Sequence, residues 1–276
     1  NAPQGLLDTP QSAYDDTKAG IAKWHGRGRA YYAITPRFAI TSTPEQMEVA
    51  QSLCNEHPDL HIQTHVSENL AEIELAKELY PNLPDYVGIY ERYRLLGPKT
   101  LLGHCIHLTH RETEILAQTQ SVAVFCPTSN LFIGSGLFDY ERQHSHGVRI
   151  AVATDIGGGT SYSMLKTLDE GYKALQLRGQ RLNPLRSFYH MTLGYARAVS
   201  LEDRIGTVAG GKEADLVVLN STATPEMALR METVDSLVNE LFLLQTCGDD
   251  RAVVETYVMG KPMKSALSQG ELRGVR

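Results

Sequence analysis

His61-Ile-Gln-Thr-His-Val-Ser-Glu68 is a short β-rich run that ends on a histidine and a carboxylate. Helical spacing follows at once, with Ile73, Ala76 and Leu79 on one side. The same grammar recurs on both flanks. Upstream, Ala30-Tyr-Tyr-Ala-Ile-Thr35 precedes a helix opening at Thr43-Pro44-Glu45-Gln46. There Thr43 caps, Pro44 suits the first turn and Gln46 completes a capping box, while Met47, Ala50, Leu53 and Cys54 give the helix a buried face. Downstream, Thr100-Leu-Leu-Gly-His-Cys105 leads to a second capping box, Thr109 with Glu112, before Ile115 and Leu116. Two further runs, Ser121-Val-Ala-Val-Phe-Cys126 and Val148-Arg-Ile-Ala-Val-Ala-Thr154, continue the series.

Apolar strands that alternate with helices predict a parallel sheet covered by helices, either an open doubly wound sheet or a closed (β/α)8 barrel. No G-x-G-x-x-G stands at a strand-to-helix turn, and Gly157-Gly158-Gly159 lacks the Lys-Ser/Thr of a phosphate-binding loop. Polar residues instead cluster where strands end: Arg37, His65 and Glu68, His104, Asp155. A barrel builds its active site at that end. The fold class read from this is α/β, an incomplete (β/α)8 barrel of the metal-dependent hydrolase kind, because about five strands are countable where a barrel has eight. The tail differs in character. Arg204-Ile-Gly-Thr-Val-Ala-Gly-Gly-Lys-Glu-Ala-Asp-Leu-Val-Val-Leu219 reads as turn and strand, and Val253-Val-Glu-Thr-Tyr-Val-Met-Gly-Lys-Pro262 as strand, turn, strand. Residues 1–203 are therefore expected to be barrel and 204–276 part of a small β-domain, in a chain that starts part-way through a longer protein.

The 276 residues, 42% hydrophobic and 21% charged, suit a globular protein able to bury a core. A net charge of -6 disfavours nucleic acid as a partner and leaves a small-molecule substrate, or a partner protein, as the better expectation. No apolar run approaches the ~18 residues that span a bilayer, so no membrane partner is expected. The start, Asn-Ala-Pro-Gln-Gly-Leu-Leu-Asp, lacks the basic flank and apolar stretch of a signal peptide. Cys54, Cys105, Cys126 and Cys247 form no C-x-x-C pair and read as reduced thiols, which points to the cytoplasm.

Of the ten histidines, His25, His57, His61, His110 and His190 read as surface or hydrogen-bonded core residues. His144-Ser-His146 has the form H-x-H but sits in a polar stretch before a strand, where alternation would not put both rings on one face. His65, His104 and Asp155 are different, because each closes an apolar strand. Histidine nitrogen and carboxylate oxygen suit Zn2+, which lowers the pKa of a bound water to about 7. Glu68 is placed to move protons to a substrate. The alternative is a buried polar network with no metal. The shared strand-end position favours the metal.

Six segments in order carry a resemblance: Thr35-Pro-Arg-Phe38, Thr64-His-Val-Ser-Glu68, Gly103-His104, Cys126-Pro-Thr-Ser-Asn-Leu131, Ala153-Thr-Asp-Ile-Gly-Gly-Gly159 and Gly211-Lys-Glu-Ala-Asp-Leu-Val-Val-Leu219. Together they resemble the amidohydrolase superfamily, and the Arg-Phe pair with Thr-His-x-Ser-Glu resembles its guanine deaminase branch. The resemblance implies one zinc per chain held by His65 and Asp155, with His104 over the activated water and polarising the substrate. It implies that Glu68, His104 and Asp155 are catalytic, and that Arg37 and Phe38 recognise the purine, which also contacts His65, Glu68 and Asp155. The implied reaction is hydrolysis of guanine to xanthine and ammonia, in a homodimer. Two further zinc histidines of the family, an H-x-H on the first strand, have no counterpart in this chain. Cys105 stands where the superfamily often has Gly, a packing variation. The alternatives are an amidohydrolase for another purine, a pyrimidine or a triazine, and a non-catalytic barrel scaffold.

Overall fold

The computed structural model describes residues 2–265. In chain order its elements begin α1 (Pro10–Trp24), β1 (Ala33–Ile34), α2 (Pro44–Glu56), β2 (His61–Val66), α3 (Leu70–Leu79), α4 (Tyr86–Arg92), β3 (Thr100–His104) and α5 (His110–Thr119). They continue with β4 (Val122–Phe125), α6 (Pro127–Ile133), α7 (Tyr140–Ser145), β5 (Arg149–Val152), α8 (Met164–Leu177), α9 (Pro184–Met191) and α10 (Leu193–Ala198). The last are β6 (Leu216–Leu219), α11 (Pro225–Met231), α12 (Leu237–Cys247), β7 (Val253–Val258) and β8 (Lys261–Pro262). The described residues of Asn1–Phe125 and Glu141–Arg149 form one compact unit, and those of Cys126–Tyr140 and Ile150–Arg276 a second.

In the first unit β1, β2, β3 and β4 pair in chain order, all parallel, as the β/α reading requires. Both capping boxes form as expected. Thr43 and Gln46 exchange side-chain and backbone hydrogen bonds at the start of α2, and Thr109 and Glu112 do so at α5. Met47, Ala50 and Leu53 are the buried side of α2. Strands β2 and β3 alternate rather than being buried throughout: Ile62, Thr64 and Val66 of β2 are buried, whereas Gln63 is exposed and His65 half-buried. Since alternate residues share a face, His65 is carried on the less buried side of β2.

The structure departs from the sequence expectations at three places. The first strand is only Ala33–Ile34, because the Ala30 carbonyl accepts from Gly26 N–H and Tyr32 N–H donates to His25 Nδ1, diverting both from a ladder. On α3, Leu79 is exposed, and Glu72 shares the buried side with Ala76. The cause is the cap, since the Glu72 carboxylate folds back to accept from the backbone N–H of Glu68 and Asn69. Helices α1 and α11 stand outside the sequence expectation, although Thr9-Pro10 and Thr224-Pro225 are N-cap and first-turn pairs of the same kind as Thr43-Pro44.

In the second unit Leu165, Met227, Leu243, Leu244 and Ala252 form a core. The expected tail strands form an antiparallel sheet in the order β6-β7-β8. Met259 and Gly260 turn the β7–β8 hairpin, both at positive φ (52° and 74°), the conformation that matches strand twist in a two-residue turn. Asp215 explains part of the closing sequence motif, because its carboxylate accepts from Met259 N–H at 3.0 Å and pins that turn.

Thr43→Ala should lower stability by about 1 kcal/mol through loss of the N-cap. Leu53→Ala on the same helix should cost about 2–5 kcal/mol through an unfilled core volume. Urea unfolding of both variants checks the order, and equal losses would contradict this account of α2.

Candidate active site

His65 is fixed twice by one atom. The Arg37 carbonyl accepts from the His65 backbone N–H at 3.2 Å and from its ring Nδ1 at 2.7 Å. A carbonyl can only accept, so Nδ1 carries the proton and Nε2 the lone pair. That is the tautomer a metal-binding imidazole needs, set by a hydrogen bond on its far nitrogen.

Behind the ring, Tyr90 holds the same two segments together. Its hydroxyl donates to the His65 carbonyl at 2.6 Å and accepts from Ala39 N–H at 3.1 Å. Thr64 Oγ1 lies 3.1 Å from that hydroxyl and 3.3 Å from the Arg37 carbonyl. Burial pushes the Tyr90 phenol above its ordinary range, so it stays protonated and keeps donating. Nothing in the sequence marked Tyr90, since its hydroxyl meets partners 25 and 51 residues away.

A stack of planar groups runs from this point. The Arg37 guanidinium sits 5.5 Å from the Phe38 ring centre, Phe38 stacks on His65 at 4.2 Å and 20°, and His65 stacks on His104 at 5.4 Å and 24°. His104 Nε2 then faces Glu68 Oε2 at 3.6 Å. Both are nearly buried, at 2% and 8% exposure, whereas Arg37 is exposed. Five of the residues singled out in the sequence thus lie side by side in the first unit. Glu72 supports them by accepting from Glu68 N–H at 3.1 Å, and burial raises its own carboxyl above the ordinary value.

Backbone conformation marks the strand ends. Ser67, His104 and Cys105, just past or at the ends of β2 and β3, have φ of 50°, 72° and 50°. Such left-handed non-glycine residues carry strain and turn up where a side chain must be aimed.

Asp155 belongs to the second unit and follows β5, also at positive φ, 47°. The glycines after it are a packing requirement. A Cβ on Gly158 would lie 3.1 Å from Asp155 Oδ2 and 2.8 Å from Ser129 Oγ, and one on Gly159 would fall on the Thr154 carbonyl oxygen. Gly158 therefore leaves open the space beside the carboxylate, and a lone-pair imidazole nitrogen with a carboxylate oxygen is a donor set that fits zinc. The same unit has an apolar cavity of about 1040 Å3, lined by Leu165, Phe188, Met191 and Leu219 among others. Asp155 does not line it.

A model of the amidohydrolase family matches residues 7–263. The guanine deaminase of Escherichia coli strain K12 is 49% identical over 261 residues, 95% of this chain and 60% of that protein. The solved structure of E. coli guanine deaminase aligns with a TM-score of 0.94 at 48% identity, covering 95% of this chain and 62% of that one. The guanine deaminase of C. acetobutylicum, solved with guanine in its active site, aligns at 0.85 and 27% identity, with 95% and 62% covered. The chain thus spans about 60% of the length of the relatives it matches. Among the described residues no helix is long and apolar enough to cross a membrane.

Tyr90→Phe leaves the Ala39 N–H and the His65 carbonyl without their buried partner, which should cost about 1–3 kcal/mol. Hydrogen exchange at the Ala39 amide should quicken more than at amides of α5, and unchanged exchange there would remove Tyr90 from this role. Gly159→Ala should cost about 1–3 kcal/mol or more by overpacking, read by thermal unfolding.

Proposed function

Because the chain belongs to the amidohydrolase family, a family whose members use a divalent metal, we propose that the protein carrying it deaminates guanine hydrolytically to xanthine and ammonia. The observation that carries the reading is the stack of Arg37, Phe38, His65 and His104 ending on Glu68. Similarity to guanine deaminases along 95% of the chain supports it.

In this reading the metal is zinc, one per chain, and His65 through Nε2 and Asp155 through its carboxylate hold it. Zinc, when bound, supplies a water acidic enough to act as a nucleophile at neutral pH. The chain's own residues do the rest. Phe38, already flat against His65, offers an apolar plane to a purine ring. Arg37 presents donors in a fixed plane to O6 and N7, the acceptor edge of guanine. Glu68, held by the Glu72 cap, delivers a proton to the purine ring as the amino group leaves as ammonia. His104, beside that carboxylate, donates to the charge that develops on the ring. The substrate also meets His65 and Asp155.

Residues 1–203 are read as the C-terminal part of the barrel and 204–276 as a segment of the small β-domain and a tail, of which 266–276 lie outside the described residues. A cytoplasmic homodimer acting on a small molecule, with neither nucleic acid nor membrane as partner, completes the proposal.

Adenine replaces O6 with a donor amino group, so one Arg37 contact becomes donor against donor at about 1–3 kcal/mol, roughly ten- to a hundredfold in rate. Ammonia release from guanine should therefore run well ahead of adenine and cytosine, and a preference for either of those would overturn the substrate. Arg37→Leu should weaken guanine turnover at unchanged zinc content. Glu68→Gln should cut turnover by on the order of 10²–10⁴ with zinc retained, and normal turnover would assign the proton transfer elsewhere. Asp155→Ala should lose zinc while keeping the fold, as metal analysis and circular dichroism would report.

A further inference from the structure

From the juxtaposition of His110 and His146, we infer a second metal site, a surface pair of imidazoles that binds a divalent transition ion such as Ni2+, Cu2+ or Zn2+. Both belong to the first unit, His110 as the first residue of α5 and His146 just after α7. Their rings stand 5.1 Å apart between centres at 89°. In a tetrahedral site each ring centre lies roughly 3.2 Å from the ion, the sum of a bond of about 2.0–2.1 Å and a ring radius of about 1.1 Å. Two rings on one ion are then roughly 5.2 Å apart between centres. The observed centre-to-centre spacing is close to that value.

The protonation pattern fits as well. His146 Nδ1 lies 2.7 Å from the Arg142 carbonyl, which can only accept, so the proton is on Nδ1 and the lone pair on Nε2. His110 Nδ1 faces Glu114 Oε1 at 3.4 Å, one turn along α5, which favours the same tautomer. A carboxylate or carbonyl behind each ring is the outer support that metal-binding histidines need. Arg111, the nearest cation in sequence, is committed to Asp85 and Glu91 and does not compete for Glu114.

The backbone of His146 is held too. Its N–H donates to the Arg142 carbonyl at 3.2 Å, Gly147 turns at φ 78°, and Val148 N–H returns to the Gln143 carbonyl at 3.0 Å. That cap makes His146, and not its H-x-H companion His144, the ring that meets His110. With two protein ligands and both side chains open to water, solvent fills the remaining positions of the ion. Imidazole nitrogen selects such ions over Mg2+ and Ca2+.

The test uses the full, tag-free, zinc-loaded protein titrated with Ni2+, followed by calorimetry and by long-range 1H–15N spectra of the imidazoles. We expect one binding event in which the His110 and His146 signals broaden first. His110→Gln and His146→Gln should each weaken it at least tenfold, while His144→Gln and Ni2+-for-Mg2+ controls separate this pair from other surface histidines. A wild-type titration no tighter than that of the double variant, or an equal loss in His144→Gln, would overturn the site. None of these readouts depends on turnover, so the result stands apart from the deaminase reading.

Discussion

The Arg37 carbonyl oxygen accepts two hydrogen bonds from one residue, and the arrangement of the first unit's polar groups follows from that. A backbone acceptor has no second protonation state. It therefore fixes the His65 tautomer at every pH where the ring is neutral, and it ties the segment after β1 to the end of β2. Phe38, next in sequence, has little choice but to lie on the imidazole. The exposed Arg37 guanidinium lies 5.5 Å from the Phe38 ring centre, so a planar cation marks the exposed end of a series whose other end is buried.

Polarity grades along that stack. The exposed guanidinium, the half-buried His65 and the buried His104–Glu68 pair form a path from water to a protected interior. Hydrogen bonds and charge interactions strengthen as solvent withdraws, so the His104–Glu68 pair interacts more strongly than it would at the surface. Glu72 pins the Glu68 backbone by the same capping chemistry that starts α3. The cap of α3 thus also holds the backbone that carries the Glu68 side chain.

Much of this was legible in the sequence, for local reasons. Capping boxes depend on residues three apart, so Thr43–Gln46 and Thr109–Glu112 could be read directly. Strand ends show as polar residues closing apolar runs, which is how His65, Glu68, His104 and Asp155 were found. What escaped depends on distant or conformational facts. Tyr90 works through partners far along the chain, and the positive φ of Ser67, His104, Cys105 and Asp155 has no residue signature because none is glycine. The first strand is shorter than its sequence suggests for a related reason: β-prone Tyr31 and Tyr32 precede the strand, yet His25 captures the Tyr32 N–H.

The glycines after Asp155 invert the usual argument from flexibility. Only Gly157 of the three has positive φ, 113°, so freedom of backbone does not explain the run. Gly158 and Gly159 are required by what surrounds them: the Asp155 carboxylate and Ser129 hydroxyl at one, the Thr154 carbonyl at the other. Thr128 adds to the crowding by donating to that same carbonyl at 3.0 Å. The segment after β4 and the segment after β5 are thereby pressed together inside the second unit; a side chain at Gly158 would crowd the Asp155 carboxylate, and one at Gly159 would collide with the Thr154 carbonyl and the Thr128 hydroxyl. The sequence Thr-Asp-Ile-Gly-Gly-Gly is thus the mould of one aspartate. Its last two glycines are required because a Cβ at either would meet Ser129, Thr128 or the Thr154 carbonyl.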